Sequence, residues 1–271
     1  MNIGKNNVLE ETDGVNFRNP KIPEGYIHLE GTWDTGLVIQ NLTDKSEFVW
    51  IPIGWLEKNG THDGVNFNER FGRRNFSNSN FSETGYHEEA DSLLIESINK
   101  YGGFYFSRFH ASKENKKLVF RKGNMPWVDI NYYDAGDVVA DYAKDNKDVI
   151  SCLISGAAFD SVLCWIIQSE AKSLKEVCEN SASWGNYWNS PETLKGIMPT
   201  GSNEKWCACN IYDIAGNVDE WTSEEYGSIC VVSRGGAYYG SGYRWPAAYR
   251  FTEIPKECSG SISFRAVLYL K

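Results

Sequence analysis

The sequence predicts a single α+β domain, and three observations support this class. Short runs of aromatic and β-branched residues are broken by Gly, Asn and Asp, which is typical of strands joined by turns. Two segments stand out because their apolar residues recur at the spacing of a helix. Long loops rich in Gly, Asn and Ser separate these elements. Few helices among scattered short strands favour one mixed domain over two, and 271 residues with 41% hydrophobic residues allow a substantial core.

The N-terminal part of the chain changes character near residue 20. Residues 1–20 are polar and rich in Asn, so we expect an arm there and a single domain over residues 21–271. A stretch with little apolar content, residues 59–89, predicts either a functional excursion or a mobile flap. The first strands are expected in three aromatic or β-branched runs, at residues 26–29, 36–39 and 48–51.

Two helices are expected in the middle of the chain, over residues 134–143 and 155–168. In the first, Val138, Val139 and Tyr142 recur at helical spacing behind Asp134, which can cap the helix. The second shows the same pattern more strongly, in Phe159, Val162, Leu163, Ile166 and Ile167. Ser173 and Glu176 have the spacing of a capping box and predict a third, short turn of helix. An alternating run over residues 262–269 predicts a closing strand.

Composition argues against several classes of function. Lys and Arg number 27 against 36 Asp and Glu, a net charge of −9, and no basic stripe is present, so we expect no nucleic-acid partner. No window approaches the roughly 20 apolar residues of a membrane span, so we expect no membrane insertion. The first residues lack the apolar stretch of a secretory signal, so we expect a protein made in the cytoplasm and not exported by that route.

The cysteines and histidines form no recognisable site. Seven cysteines, an odd number, lie between Cys152 and Cys258, and we expect most to be reduced. Cys207 and Cys209 are either half of a metal site or a pair packed near Trp206. The four histidines lie far apart in sequence and form no paired ligand motif, which favours surface or packing roles.

Two segments are more specific than ordinary loops. Residues 210–222 read NIYDIAGNVDEWT and residues 233–238 read SRGGAY, with SFR following at residues 263–265. These motifs resemble the signature of the formylglycine-generating-enzyme-like family. Segments 102–108, 155–160 and 183–187 come in the order that the resemblance requires, and residues 24–52 resemble a subgroup common in Gram-positive bacteria and their prophages. The resemblance implies a variant of the C-type lectin fold, in agreement with the few helices, short strands and long loops.

The first motif has the residue types of a calcium site. Asp213 and Glu220 place carboxylates on either side of a tight turn at Gly216, and Ca²⁺ takes six to eight oxygen ligands. The family resemblance implies a structural calcium held by these side chains and by the carbonyls of Gly216 and Val218. The alternative is that the carboxylates cap a turn without metal. Asp219 stands where the family usually has Trp, and its charge either helps the metal or faces solvent.

The second motif separates an enzyme from a binding protein. In the oxygen-dependent enzymes of the family, two cysteines follow the Arg-Gly-Gly and bind copper as thiolates, the soft ligands that Cu(I) prefers. The resemblance places Gly240 and Trp245 at those positions. Cys230 and Cys258 lie at distances along the chain that do not match, and the His cluster of the iron-dependent relatives is missing. We therefore expect no copper or iron and no enzymatic activity of this type.

The segment from about 234 to 265 has the composition of a binding surface. Tyr, Ser, Arg and Trp are typical of paratopes, because aromatic rings give large contact area at low entropic cost. It also resembles the variable region of diversity-generating-retroelement proteins. The alternative is that these aromatics are packing in a Gly-rich loop, and Arg234 and Arg265 are expected to be scaffold. The candidate ligand-binding residues are Tyr238, Tyr239, Ser241, Tyr243, Arg244, Trp245 and Tyr249.

The sequence thus favours a recognition protein that displays a Tyr-rich C-terminal face to a protein or glycan ligand on a cell surface. Two settings fit, a retroelement-diversified variable protein and a phage or prophage tropism determinant, either associated with the virion tail or displayed at a surface. One alternative is a family oxidoreductase with a non-standard site, for which Cys207, Cys209 and the four histidines are the only material. Another is a structural tail or adaptor domain, in which the aromatic face forms an oligomer.

Overall fold

A computed structural model of the chain describes residues 17–53, 80–83, 85–89, 91–193 and 195–271. Most of the predicted arm, residues 1–16, and most of the predicted excursion, residues 59–79, lie outside the described residues. Phe17, at the start of the described part, is buried, and its carbonyl oxygen accepts a hydrogen bond from Trp50 Nε1 at 2.9 Å. Within these ranges no helix is long and apolar enough to cross a membrane.

The described residues form sixteen strands, four α-helices and one 3₁₀ turn. The strands are β1 (Tyr26–Glu30), β2 (Val38–Asn41), β3 (Glu47–Ile51), β4 (Asn80–Glu83), β5 (Tyr86–Glu89), β6 (Phe104–Ser107), β7 (Ser112–Glu114), β8 (Lys117–Val119), β9 (Val149–Leu153), β10 (Cys207–Ala208), β11 (Ile211–Tyr212), β12 (Asp219–Tyr226), β13 (Cys230–Arg234), β14 (Arg250–Glu253), β15 (Ile262–Ser263) and β16 (Ala266–Leu270). The helices are α1 (Ser92–Tyr101), α2 (Tyr132–Tyr142), α3 (Gly156–Gln168) and α4 (Leu174–Cys178), and the 3₁₀ turn is Glu204–Trp206.

Both predicted helices are present, as α2 and α3. The cap of α2 is Asn131 and not Asp134, because the Asn131 side chain accepts a hydrogen bond from the backbone N of Asp134 at 3.0 Å. Ser155 caps α3 in the same way, and the predicted capping box of Ser173 and Glu176 begins α4. Helix α1 was not predicted.

The hydrophobic core consists of two apolar clusters on the two faces of an antiparallel sheet. The strand order of this sheet is β1-β2-β3-β6-β16-β9. Its central strands are buried on both faces, so their side chains alternate between two apolar clusters. In β3, Phe48 and Trp50 belong to the cluster that includes α2 residues, whereas Val49 and Ile51 belong to the cluster that includes α3 residues. The two helices therefore cover opposite faces of the sheet.

A second sheet positions the candidate site. Its strand order is β14-β13-β12-β5-β4, with antiparallel neighbours, and β15 pairs parallel with β12. The chain leaves β13 at Arg234, makes a long loop over residues 235–249, and returns as β14. Strand β14 pairs antiparallel with β13, so Arg250 lies opposite Arg234. Both ends of the loop are thus fixed to neighbouring strands of one sheet.

Candidate functional site

The loop of residues 235–249, which we call the recognition loop, begins at a constrained glycine. Gly236 has a φ of 78°, and a Cβ atom there would lie 2.5 Å from the carbonyl oxygen of Trp245. Its backbone N donates a hydrogen bond to Asp219 Oδ1 at 3.1 Å. Only glycine fits this corner, which brings the two halves of the loop together.

A neighbouring segment holds the middle of the recognition loop through backbone hydrogen bonds. The backbone N of Trp188 donates to the Gly240 carbonyl oxygen at 3.0 Å, and the backbone N of Ser181 donates to the Gly242 carbonyl oxygen at 3.0 Å. Gly242 N in turn donates to Asn189 Oδ1 at 3.0 Å. These contacts satisfy three polar groups in the middle of the loop main chain and fix its path there.

Five rings form a continuous contact series, which we call the aromatic row. The centroids of Tyr238 and Tyr239 are 5.6 Å apart, and those of Tyr239 and Trp245 are 5.5 Å apart. Trp245 then contacts Phe251 at 5.7 Å, and Phe251 contacts Tyr249 at 6.0 Å. Most of these pairs are edge-to-face, an arrangement favourable for aromatic rings. Each ring therefore restricts the movement of its neighbours in the row.

The recognition loop presents three tyrosines to solvent. Tyr239 is 47% exposed, Tyr243 is 64% exposed and Tyr249 is 41% exposed. Arg244 is exposed as well, and its Cζ lies 5.6 Å from the Trp245 ring centroid, within the range of a cation–π contact. This surface therefore combines large aromatic side chains with one accessible guanidinium group.

Two of the predicted ligand-binding residues lie differently from the expectation. Ser241 is only 5% exposed, and its carbonyl oxygen accepts hydrogen bonds from the backbone N atoms of Arg244 and Trp245 at 3.0 and 2.9 Å. Its side chain is thus inside the loop, where a tight turn encloses it. Trp245 is half-buried and lies over Gly240, where an added Cβ would be 2.0 Å from Trp245 Cε3. It packs against Gly240 and, as the central ring of the aromatic row, contacts Tyr239 and Phe251.

Sequence reasoning missed two members of this surface. Phe251 lies in β14 and links Trp245 to Tyr249, a position that depends on the register of β14. Trp188 is 53% exposed and bonds to Gly240 from a separate segment of the chain. Only its proximity in sequence to the matched segment 183–187 could have drawn attention to Trp188.

Three buried charged side chains, Asp160, Glu224 and Arg234, and the partly buried Arg250 fix the strands that carry the loop. Arg234 Nη2 donates to Asp160 Oδ1 at 2.7 Å, and Arg250 Nη2 donates to the other oxygen of the same carboxylate at 2.9 Å. Arg250 Nε also donates to Glu224 Oε1 at 2.8 Å. Asp160 lies in α3, so the cluster ties this helix to β13 and β14. Arg234 has the scaffold role that the sequence predicted.

Arg265 is also scaffold. Its Nε donates to Glu220 Oε1 at 2.7 Å, and its Nη1 donates to the carbonyl oxygen of Ser107 at 3.0 Å. Its remaining Nη2 donates to the carbonyl oxygen of Tyr212. His110 Nε2 lies 3.0 Å from the same oxygen of Glu220. The guanidinium therefore links three segments distant in sequence.

Both side chains predicted to bind calcium are buried. Asp213 Oδ2 accepts hydrogen bonds from Thr200 Oγ1 at 2.8 Å and from Gly201 N at 2.7 Å. Asp213 Oδ1 and Glu220 Oε2 are buried without a hydrogen-bond partner. Unsatisfied carboxylate oxygens of this kind fit an enclosed cation.

The pKa values of these two carboxylates are shifted in opposite directions. Burial raises the pKa of Asp213. Burial also acts to raise the pKa of Glu220. The charges and hydrogen bonds of Arg265 and His110 together have the larger effect, so the pKa of Glu220 lies below its ordinary value. The described residues contain no cluster of three or more His, Cys, Asp or Glu side chains arranged to hold a metal. Calcium therefore stays a prediction, in which the backbone carbonyls would supply the further ligands.

The predicted turn between the carboxylates is present. Gly216 has a φ of 73°, and a Cβ there would lie 2.5 Å from the carbonyl oxygen of Asn186. Gly216 and Val218 are both buried. The backbone of this turn also joins the recognition loop, because Gly216 N donates to the Gly235 carbonyl oxygen at 2.9 Å. The candidate calcium site thus adjoins the start of the recognition loop.

Asp219 does not face solvent, contrary to one of its two predicted roles. It is 5% exposed, and its carboxylate accepts the hydrogen bond from Gly236 N. Burial and the nearby Glu253 carboxylate raise the pKa of Asp219 well above its ordinary value. Its carboxyl group thus supports the corner at which the recognition loop begins.

All seven cysteines are free thiols. Burial raises the pKa of Cys207 to about 11 and that of Cys209 to about 12. Cys209 Sγ lies 3.0 Å from Ser169 Oγ. Thiols with such pKa values are protonated at neutral pH and are weak nucleophiles and weak metal ligands.

Comparisons with known proteins agree with the motifs. No curated protein matches the chain. Three similar solved structures are PvdO from Pseudomonas aeruginosa (16% identity, 86% of this chain and 98% of that one, TM-score 0.49), Treponema denticola variable protein 1 (12%, 62% and 85%, 0.45) and CarF (15%, 62% and 87%, 0.44). The family model of the sulfatase-modifying factor enzyme 1-like domain matches residues 155–270. That match confirms the resemblance seen in the motifs, and the helices and antiparallel sheets of the described residues confirm the predicted α+β class.

Proposed function

We propose that this chain is a non-enzymatic recognition protein that binds a protein ligand on a cell surface through the recognition loop. The observation that carries the proposal is the exposure of Tyr239, Tyr243 and Tyr249 on a main chain that is hydrogen-bonded to other segments. A fixed main chain lowers the entropy lost on binding, and tyrosine gives large contact area with few rotatable bonds.

A protein is the preferred ligand because the exposed residue types suit a protein surface. Tyr, Trp and Arg dominate the binding energy of protein interfaces, and Arg244 adds a guanidinium group beside the aromatic row. A glycan stacked on an exposed ring such as Tyr243 is the alternative ligand. The two settings remain a retroelement-diversified variable protein and a phage or prophage tropism determinant.

The packing of Trp245 supports a role without catalysis. The resemblance places Gly240 and Trp245 at the positions of the copper-binding cysteines, and the Trp245 ring lies directly over Gly240. The remaining candidates for metal thiolates, Cys207 and Cys209, have raised pKa values. Stoichiometric copper or iron in the purified protein, with oxygen-dependent oxidation of a cysteine-containing peptide, would overturn this part of the proposal.

Calcium is proposed as a structural ion next to the recognition loop and not as a ligand-binding ion. Asp213 and Glu220 would hold it through their unpartnered oxygens, with the carbonyls of Gly216 and Val218. Arg265 already occupies the other oxygen of Glu220, which leaves no exposed coordination position for a sugar hydroxyl on that side chain.

The binding proposal is tested by replacing the exposed side chains of the loop together with the partly buried Tyr238. A display library would randomise Tyr238, Tyr239, Tyr243, Arg244 and Tyr249 and be selected against purified lysozyme and, separately, streptavidin. We expect folded variants that bind each target through different loop sequences. The control library would randomise exposed positions on β1 and its surroundings, namely Ile22, Ile27, His28, Leu29 and Leu42.

The two libraries separate a binding surface from packing. If the recognition-loop variants unfold, the aromatic side chains belong to the core and the proposal fails. If the β1 library yields binders as often as the recognition-loop library does, the recognition loop is no better a binding surface than β1, and the proposal fails. A concentration-dependent oligomer of the natural chain, lost when Tyr243 is replaced by Ala, would favour the structural adaptor instead.

The retroelement setting has its own test in natural variation. Deep sequencing of this gene across its source population should find substitutions at the codons of exposed residues such as Tyr239 and Tyr243. It should find none at Gly236, Gly240 or Gly242, where a Cβ would lie 2.5, 2.0 and 2.3 Å from its nearest neighbour. An invariant segment would exclude diversification and leave a fixed receptor-binding domain.

A further inference from the structure

Trp188 is an exposed aromatic residue that lies outside the recognition loop. Tryptophan is highly buried on average, yet Trp188 is 53% exposed, while the neighbouring Trp184 and Tyr187 are fully buried. Its indole therefore contributes less to the core than these two residues do.

The backbone of Trp188 is part of the frame of the recognition loop. Its N donates to Gly240, and the adjacent Asn189 side chain accepts from Gly242. On the other side, Tyr187 Oη donates to the Gly235 carbonyl oxygen at 2.8 Å. The segment thus contacts the start and the middle of the loop, and its main chain places the exposed Trp188 at Gly240, the residue that follows Tyr239.

We propose that Trp188 is a fixed anchor of the recognition surface, binding an apolar or aromatic side chain of the partner protein. The inference rests on the proposed function. A half-exposed indole on a hydrogen-bonded main chain can bury large apolar area with little loss of conformational freedom. Because Trp188 lies outside the segment 234–265, it stays the same when the residues of that segment change. Ligands recognised through different loop sequences would therefore share this contact.

The experiment uses lysozyme and streptavidin binders selected from the recognition-loop library. Each clone would be made with Trp188→Ala, with Trp188→Phe and, as a control, with Leu42→Ala, which removes an exposed side chain in the turn after β2. Affinity is measured by biolayer interferometry and folding by the melting temperature. We expect Trp188→Ala to weaken binding at least about tenfold in most clones against both targets, as loss of a hot-spot residue does. Trp188→Phe should restore part of the affinity, and Leu42→Ala should change nothing.

The outcomes separate this inference from the function on which it rests. Binders whose affinity survives Trp188→Ala within about twofold overturn the anchor but leave the recognition loop as the binding surface. A melting temperature that falls while the affinity of the folded protein is kept also overturns it, because Trp188 would then act only in packing. A library without binders overturns the proposed function and the anchor together.

Discussion

Adding one methyl group at Gly240 tests the packing on which the recognition loop depends. The Cβ of Gly240→Ala would lie 2.0 Å from Trp245 Cε3, whereas carbon atoms in contact are about 3.5–4.0 Å apart. The Trp245 ring must therefore move by roughly 1.5 Å. That movement pulls it away from Tyr239 and Phe251, its two neighbours in the aromatic row.

The expected loss of stability follows from these contacts. Overpacking costs about 1–3 kcal/mol, and each disturbed aromatic pair adds about 0.5–1.5 kcal/mol. Because the loop relaxes in part, we expect Gly240→Ala to lower the free energy of unfolding by about 2–4 kcal/mol. In a Trp245→Ala background the obstructing ring is gone, so the same change should cost less than about 0.5 kcal/mol.

The assay is a double-mutant cycle measured by urea unfolding with circular dichroism. The double variant should be about 2–3 kcal/mol more stable than the sum of the single effects predicts. Gly196→Ala is the matched control, because its Cβ would meet no atom within 4 Å. Additivity of the two changes within about 0.5 kcal/mol would refute the contact. So would a Gly196→Ala effect as large as that of Gly240→Ala.

Three further predictions concern charged groups. Arg234→Met should lower the free energy of unfolding by about 3–5 kcal/mol, because it leaves the Asp160 carboxylate buried with less compensating charge. Burial and Glu257 raise the pKa of Glu253, so its folded-state pKa exceeds its unfolded one and the stability it contributes is lost as pH rises through the folded pKa. The stability advantage of Glu253→Gln over the natural chain should therefore grow as urea unfolding is repeated from about pH 4 to about pH 7. Excess EDTA should lower the melting temperature if calcium is bound, and Asp213→Asn should abolish that response.

Each of these predictions has a control in the same chain. Arg244→Met removes an exposed guanidinium and should change the free energy of unfolding by no more than about 0.5 kcal/mol. If Arg234→Met has an equally small effect, the stabilising role of the buried charged cluster is refuted. Glu257→Gln, at an exposed position, should give a smaller pH-dependent gain than Glu253→Gln. Magnesium in place of calcium should not restore the melting temperature after EDTA, and a melting temperature insensitive to EDTA would remove the calcium prediction.

Local patterns predicted the elements that depend on local sequence. The apolar spacing of α3 and the capping box of Ser173 and Glu176 are properties of neighbouring residues, and both were found. Helix α1 was not predicted because it buries few apolar side chains. Those it buries, Leu94 and Ile98, stand among polar residues in the sequence. Asn131 replaced Asp134 as the cap of α2 because either side chain can accept the hydrogen bond, and only the backbone conformation decides between them.

The motif predicted which segment of the chain forms the candidate site, but not which of its side chains are exposed or which other segments contact it. Composition marked the loop after Arg234 as a binding surface, yet Ser241 proved to be buried and Trp245 to be a support. Trp188 meets Gly240 through a contact between residues far apart in sequence, which no local pattern reports. The sequence therefore specifies which residue types are available, and loop closure decides which of them face the solvent.

The packing of the recognition loop separates the requirements of folding from those of binding. The path of the loop depends on Gly236, Gly240 and Gly242, on backbone hydrogen bonds to other segments, and on the arginines beneath it. The ring of Tyr243 is exposed and lies outside the aromatic row, so substitutions there change the surface at little cost in stability. A change at a glycine moves the main chain itself and alters every contact at once. Variation at exposed positions outside the aromatic row, such as Tyr243, is therefore the kind of change that alters this surface and leaves the chain folded.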